Sequence, residues 1–157
     1  MAAGVTLEAG RLAAFRAYIE AELGPAVEAA RRDNALLIDG ALSAAAAGAE
    51  LCATVARAGP FGAGNPEPVF ALPAHILVHA EEVGQGHIRA RLKSGDGASV
   101  QAIAFRAAHQ PLGEALLENR GRVLHAAGSL TLDRWQGEDR AQLRILDVAL
   151  ESSRAPF

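Results

Sequence analysis

Few side chains in this 157-residue sequence could do covalent chemistry. The five histidines are His75, His79, His87, His109 and His125. A hydrolytic metal centre needs several Asp and His ligands converging on one ion. No Asp-His-His or His-x-Asp cluster occurs. His75 and His79 lie four apart in a segment with strand character. Even spacing there puts both on one face, about 13 Å apart and too far to share an ion. All five read as solvated or hydrogen-bonded surface histidines. Cys52 sits beside Leu51 and Val55 without a neighbouring His, and reads as a buried, inert thiol. As the one cysteine, it excludes an internal disulfide framework and a multi-Cys zinc site, and fits a reducing compartment. No serine stands in a nucleophile elbow. Gly62-Ala63-Gly64 lacks the third glycine and the lysine of a phosphate loop. The residues thus suggest neither catalytic groups nor metal ligands.

What remains is a basic stripe. Arg89, Arg91 and Lys93 alternate with Ile88, Ala90 and Leu92, so a strand here carries its cations on one face. Arg106 closes the next strand-like segment, and Arg134-Trp135 falls between two later ones. Cations spaced along a groove bind phosphates, and an aromatic face stacks bases. The net charge of -3 opposes a broad basic coat but permits a local stripe. These residues alone leave a second reading open, a solvated strand face plus a Trp that plugs the end of a barrel.

The elements that must position these groups follow from periodicity. Leu12, Phe15, Ile19 and Leu23 predict a helix over residues 7–23, with Thr6 as N-cap and Gly24-Pro25 as its stop. Residues 26–32 read as a short helix or a loop, and Asp33-Asn34 as a turn. Residues 36–42 read as a strand and 44–58 as a helix. Residues 59–68 hold three glycines and three prolines, which forbids regular structure and marks the chief boundary. Beyond it the period drops to 2. Strands are predicted at 69–80, 87–93, 99–105, 123–132 and 140–150. A hairpin turn is predicted at 94–97, a helix at 107–119, and a polar loop holding Trp135 at 133–139. The apolar phase slips near Ile145-Leu146, which predicts a bulge. Leu92, Leu124, Leu130 and Leu143 are expected inside. Three strands, a helix and two strands is the order of a five-stranded OB-fold β-barrel, although other small barrels share much of it. Half of the residues are apolar and 21% charged, so a packed core is feasible; alanine keeps its volume modest. No apolar run nears the roughly 18 residues of a membrane span, and residues 1–10 lack the features of a signal peptide.

Residues 59–70, Gly-Pro-Phe-Gly-Ala-Gly-Asn-Pro-Glu-Pro-Val-Phe, closely resemble the signature loop of the RecJ family. These are bacterial single-strand-specific exonucleases of the DHH phosphoesterase superfamily. Met1-Ala2-Ala3-Gly4-Val5-Thr6-Leu7 looks like the residues just after the Gly-Gly-His motif of that family's substrate-binding domain. Ala102-Ile103-Ala104-Phe105, and Trp135 through Gln142-Leu143-Arg144-Ile145, look like its barrel strands. The resemblance runs from residue 1 to about 150.

It implies a mostly β fold with flanking helices. Residues 1–33 would be a helical remnant of the substrate-binding domain and 34–68 a connector. Residues 69–150 would be the OB-fold domain and 151–157 a frayed tail. The Gly-Gly-His motif is absent, and the catalytic domain, with its manganese or magnesium, would lie upstream; no cofactor is expected in this part. The resemblance further implies 5′-to-3′ degradation of single-stranded DNA by the intact enzyme, in DNA recombination and repair in the cytoplasm. This part alone would be inactive. Its expected partners are single-stranded DNA, the upstream domains and a single-stranded-DNA-binding protein, with no membrane. The DNA face would be Arg89, Arg91, Lys93, Arg106, Arg134 and Trp135. Gly59, Pro60, Phe61, Gly62, Gly64, Asn65, Pro66 and Pro68 would form a structural loop that fixes the barrel against upstream domains. A protein-binding OB module without DNA binding is the alternative. The net charge favours it and the stripe opposes it.

Overall fold

The structure, a computed structural model, describes residues 4–32, 35–135 and 138–150. The side chains of 31–32, 134–135 and 138–139 lie outside the description, as do the expected turn Asp33-Asn34 and the tail 151–157. The chain divides into two compact units, Met1–Leu36 and Leu37–Phe157.

In the first unit a 3-10 turn, Ala9–Arg11, leads into helix α1, Leu12–Arg32. The residue capping this start is Glu8 rather than Thr6. The helix also continues through Gly24-Pro25, where a stop is predicted. Proline costs about 3 kcal/mol in a helix interior. Here Ala21, Glu22 and Leu23 precede it and Glu28, Ala29 and Ala30 follow, all strong helix formers.

The second unit begins with a short strand. The predicted strand at 36–42 shrinks to β1, Gly40–Ala41, parallel to the start of β2, Phe70–Val83. Asp39 sets this pairing. Its N–H donates to the Val69 carbonyl (2.8 Å), and its carboxylate accepts the Val69 N–H (2.8 Å). Helix α2, Ala49–Ala56, starts later than predicted. Ser43 competes for the preceding residues, its hydroxyl accepting the Ala46 N–H within a turn.

Strands β3 (His87–Lys93) and β4 (Ser99–Ala104), helix α3 (Pro111–Glu118) and strands β5 (Val123–Trp135) and β6 (Glu138–Leu150) complete the fold. The sheet runs β2-β3-β4-β6-β5 and closes through β5 onto β2. Every pairing of that ring is antiparallel except β4 with β6. This is the predicted OB-type five-stranded barrel. Its last two strands are longer than expected. Their ladder reaches Trp135 opposite Glu138, so most of the predicted polar loop is strand. The register sets Asp133 opposite Arg140, and opposite charges facing across a ladder favour its extension.

Leu72, Leu77, Ile88, Leu92, Leu116, Leu124 and Leu143 are fully buried, and Leu130 joins them. Ala80, Ala90, Ala102, Ala104 and Ala126 fill the inward positions between them, so large side chains interdigitate with small ones. Gly128 lies close against the backbone of β6; a Cβ there would stand 2.1 Å from the Arg144 carbonyl oxygen. The predicted bulge in β6 is present. Ala127 pairs with Asp147 and Gly128 with Ile145, which leaves Leu146 unpaired.

Strand β2 carries two register shifts that its residues do not advertise. One lies between Leu72 and His75, where Ala74 takes φ 52°, and the other between Leu77 and His79. They overturn the one-face expectation for His75 and His79. His75 turns inward and is 2% exposed, while His79 points to solvent. The buried ring also corrects the reading of His75 as a surface histidine. Its Nδ1 meets the Pro73 carbonyl at 2.8 Å, and its Nε2 has no partner among the described residues.

Candidate nucleic-acid interface

The outer face of the barrel is built from cross-strand rows. Strand β3 alternates strictly, burying Ile88, Ala90 and Leu92 and exposing Arg89, Arg91 and Lys93. Strand β4 buries Val100, Ala102 and Ala104, so Gln101 and Ile103 share the outer face. The registers align these side chains. One row reads Glu81, Arg89, Ile103, Arg144 across β2, β3, β4 and β6. The next reads His79, Arg91, Gln101, Gln142. A third sets Lys93 beside Ser99. The first two rows, apart from Arg144, line with Val83, Phe105, Asp133 and Arg140 an open groove of about 720 Å³, and Lys93 lies further along the same face of β3. From Arg89 to Lys93 the cations span about 13 Å along the strand.

The aromatic surface of this groove is Phe105, one residue past β4 and 53% exposed. The His87 ring meets it edge-on at 5.2 Å, and the Arg144 guanidinium lies 5.7 Å from its centroid. Arg106 follows with φ 52°, its N–H donating to His87 Nδ1 (2.8 Å). That bond ties the end of β4 to the start of β3 and holds the Phe105–His87 pair in place. Phe105 was visible in the sequence as an outward position of its strand, but its neighbours Arg144 and His87 are far off in the chain.

The stripe is not electrostatically uniform. Arg89 is engaged: Glu81 Oε1 accepts its Nε–H at 2.9 Å and a second bond from Nη2. The same oxygen lies 3.4 Å from His79 Nε2. These partners, Arg89 first and His79 second, hold the Glu81 carboxyl below the usual carboxylate range. Arg91 and Lys93 have no ion-pair partner among the described residues. Arg106 is exposed at the Phe105 end of the face, and Lys93 lies at the opposite end. Arg134 and Trp135 lie at the far end of β5 in backbone, and their side chains are outside the description. The structure thus brings Arg89, Arg91 and Lys93 together, and adds Phe105 and Arg144. A spaced row of cations beside an open aromatic ring can hold a polyanion with planar substituents.

The Gly/Pro loop packs elsewhere. Gly62 and Asn65 exchange backbone hydrogen bonds, and Asn65 Nδ2 donates to the Ala58 and Pro60 carbonyls at 3.1 and 3.2 Å. Phe61 and Pro68 of this loop, with Cys52 and Val55 of α2 and Leu130 of β5, line a separate apolar cavity of about 270 Å³. Ala63 and Gly64 form the turn that the Gly62–Asn65 bridge closes. Cys52 is buried as expected, burial pushes its thiol pKa up, and its Sγ approaches the Thr131 carbonyl at 3.8 Å. Among the described residues no three His, Cys, Asp or Glu side chains converge where they could hold a metal ion. Nor is any described helix long and apolar enough to cross a membrane.

The RecJ OB domain family matches residues 38–147. RecJ of Thermus thermophilus, solved in complex with Mg2+, is 24% identical with a TM-score of 0.55; the match covers 97% of this chain and 23% of that one. The same protein in complex with Mn2+ matches with 26% identity and a TM-score of 0.53, over 98% of this chain and 22% of that one. The chain therefore spans less than a quarter of the length of that RecJ. No curated protein matches the sequence.

Proposed function

The chain belongs to the RecJ OB domain family, and from that premise we propose that its barrel binds single-stranded DNA along the outer face of β2, β3, β4 and β6. The observation that carries this reading is the open Phe105 ring, set between His87 and Arg144 at one end of a groove lined by Arg89 and Arg91, with Lys93 further along the same strand face. The cations meet successive phosphates while a base stacks on Phe105. Arg106 extends the cationic surface past Phe105, and Arg134 and Trp135 are further proposed DNA contacts.

In this reading the chain is the strand-holding part of an exonuclease that degrades single-stranded DNA from the 5′ end, in recombination and repair. Residues 1–33 belong to the domain before the barrel, 34–68 connect, and 69–150 form the binding domain. The Gly59–Pro68 loop braces the barrel against the rest of the protein. Hydrolysis and its manganese or magnesium belong to a catalytic domain outside this chain, a reading that rests on the resemblance to RecJ, of whose length this chain spans less than a quarter. The upstream domains and a single-stranded-DNA-binding protein are the proposed partners, and the cytoplasm the proposed location.

The test is a titration of fluorescent single- and double-stranded oligonucleotides at two salt concentrations. Tighter binding of the single strand, with affinity falling as salt rises, is expected. Replacing Arg89, Arg91 and Lys93 together by Ala should flatten that dependence by about 0.7 log unit per log salt for each of Arg91 and Lys93, the two without an ion-pair partner among the described residues. Equal affinity and slope in the triple variant would make the stripe a solvated face. No binding at low salt would favour a protein-binding module.

A further inference from the structure

Glu81 is an acidic residue inside a groove read as a polyanion site. The β2–β3 register sets it directly across from Arg89, and one of its oxygens takes both Nε–H and Nη2–H of that guanidinium. The same oxygen also faces His79 Nε2 at 3.4 Å. Both members of the Glu81–Arg89 pair remain open to solvent, at 40% and 56% exposure. Neighbouring Arg91 and Lys93 project from the same face without any such partner among the described residues. A carboxylate and a phosphate present the same kind of acceptor oxygens to a guanidinium fork.

Building on the groove's reading as a single-strand site, we propose that Glu81 acts as a resident phosphate mimic: it occupies Arg89 in the free chain and is displaced when a backbone phosphate enters. Glu81 is then a determinant of how tightly the groove holds a strand. Exposure makes the exchange feasible, since a solvated ion pair is weak and its partners rehydrate on separation. The exchange also mutes the salt response at this position. A phosphate that pairs with Arg89 sheds its counterion, while the displaced Glu81 gathers one.

The test uses the full 157-residue chain as wild type, Glu81→Gln, Arg89→Ala and the double variant, with a labelled oligothymidylate titrated across a salt series. Thermal melts check that all four fold. Glu81→Gln should bind roughly two- to fivefold tighter at low salt, the worth of an exposed pair. Its salt slope should steepen by about 0.7, one more net phosphate contact. Both gains should vanish in the Arg89→Ala background. Weaker binding by Glu81→Gln would overturn the proposal, because Glu81 would then be orienting Arg89 for DNA. A gain that persists undiminished without Arg89 would also overturn it, leaving only repulsion between Glu81 and DNA. Wild-type binding that does not respond to Glu81→Gln removes the role of Glu81 and leaves the groove's reading standing. If neither wild type nor Glu81→Gln binds, both fall.

Discussion

Replacing Phe105 by Ala separates stacking from charge in the groove. The ring is 53% exposed, so its removal opens no core cavity. The substitution does abolish the edge-on pairing with His87 and the packing against the Arg144 guanidinium. Such interactions are worth about 0.5–1.5 and 0.5–1 kcal/mol respectively, so the variant should be less stable by about 1–2.5 kcal/mol and remain folded. Stacking of one base on an aromatic ring is worth about 1–3 kcal/mol. Affinity for single-stranded DNA should therefore fall roughly five- to 150-fold. The salt slope should stay as it was, because stacking releases no counterions. Fluorescence anisotropy over a salt series gives both quantities. An oligonucleotide with abasic sites in place of bases should bind wild type and variant alike, and Phe105→Tyr should retain the affinity of wild type. Unchanged affinity of Phe105→Ala for a normal strand would refute the stacking role, as would a loss that appears wholly in the salt slope.

Three further outcomes are expected. The purified chain should leave single-stranded DNA intact with manganese or magnesium present, and product analysis on a denaturing gel checks this. Gly128→Ala should lower the melting midpoint, since its new methyl meets the Arg144 backbone carbonyl; overpacking of this kind costs on the order of 1–3 kcal/mol, readable by denaturant unfolding. Asp96 is held below its usual pKa first by the Ser94 hydroxyl and then by the Ala98 N–H. A carboxyl depressed in the folded state stabilises the protein fully above its unfolded pKa, roughly 4, and the contribution is lost as pH falls through the lower folded value. Asp96→Asn should therefore destabilise the chain at neutral pH, and the difference from wild type should shrink in acid, as unfolding curves at several pH values would reveal.

Features that depend on local sterics were legible in the chain before any fold was known. Side chains alternate across a strand with a period of two, so Arg89, Arg91 and Lys93 had to share a face opposite Ile88, Ala90 and Leu92, and they do. The same rule exposed the bulge at Leu146, because a slipped apolar phase has few other causes. Ser94 to Gly97 read as a turn because Gly97 tolerates the positive φ it adopts, 91°. Which rows those faces join emerged only when the barrel closed. Closure sets β6 parallel to β4, and only that pairing brings Arg144 beside Ile103 and over Phe105. The β2–β3 register, shifted between Leu77 and His79, puts Glu81 rather than a neutral residue against Arg89. The left-handed backbone at Ala74 lies beside the register shift that turns His75 inward, and nothing in alanine's chemistry announces that conformation. Alternation is a property of one chain segment, whereas partnership across a barrel depends on where every bulge falls and how the sheet closes.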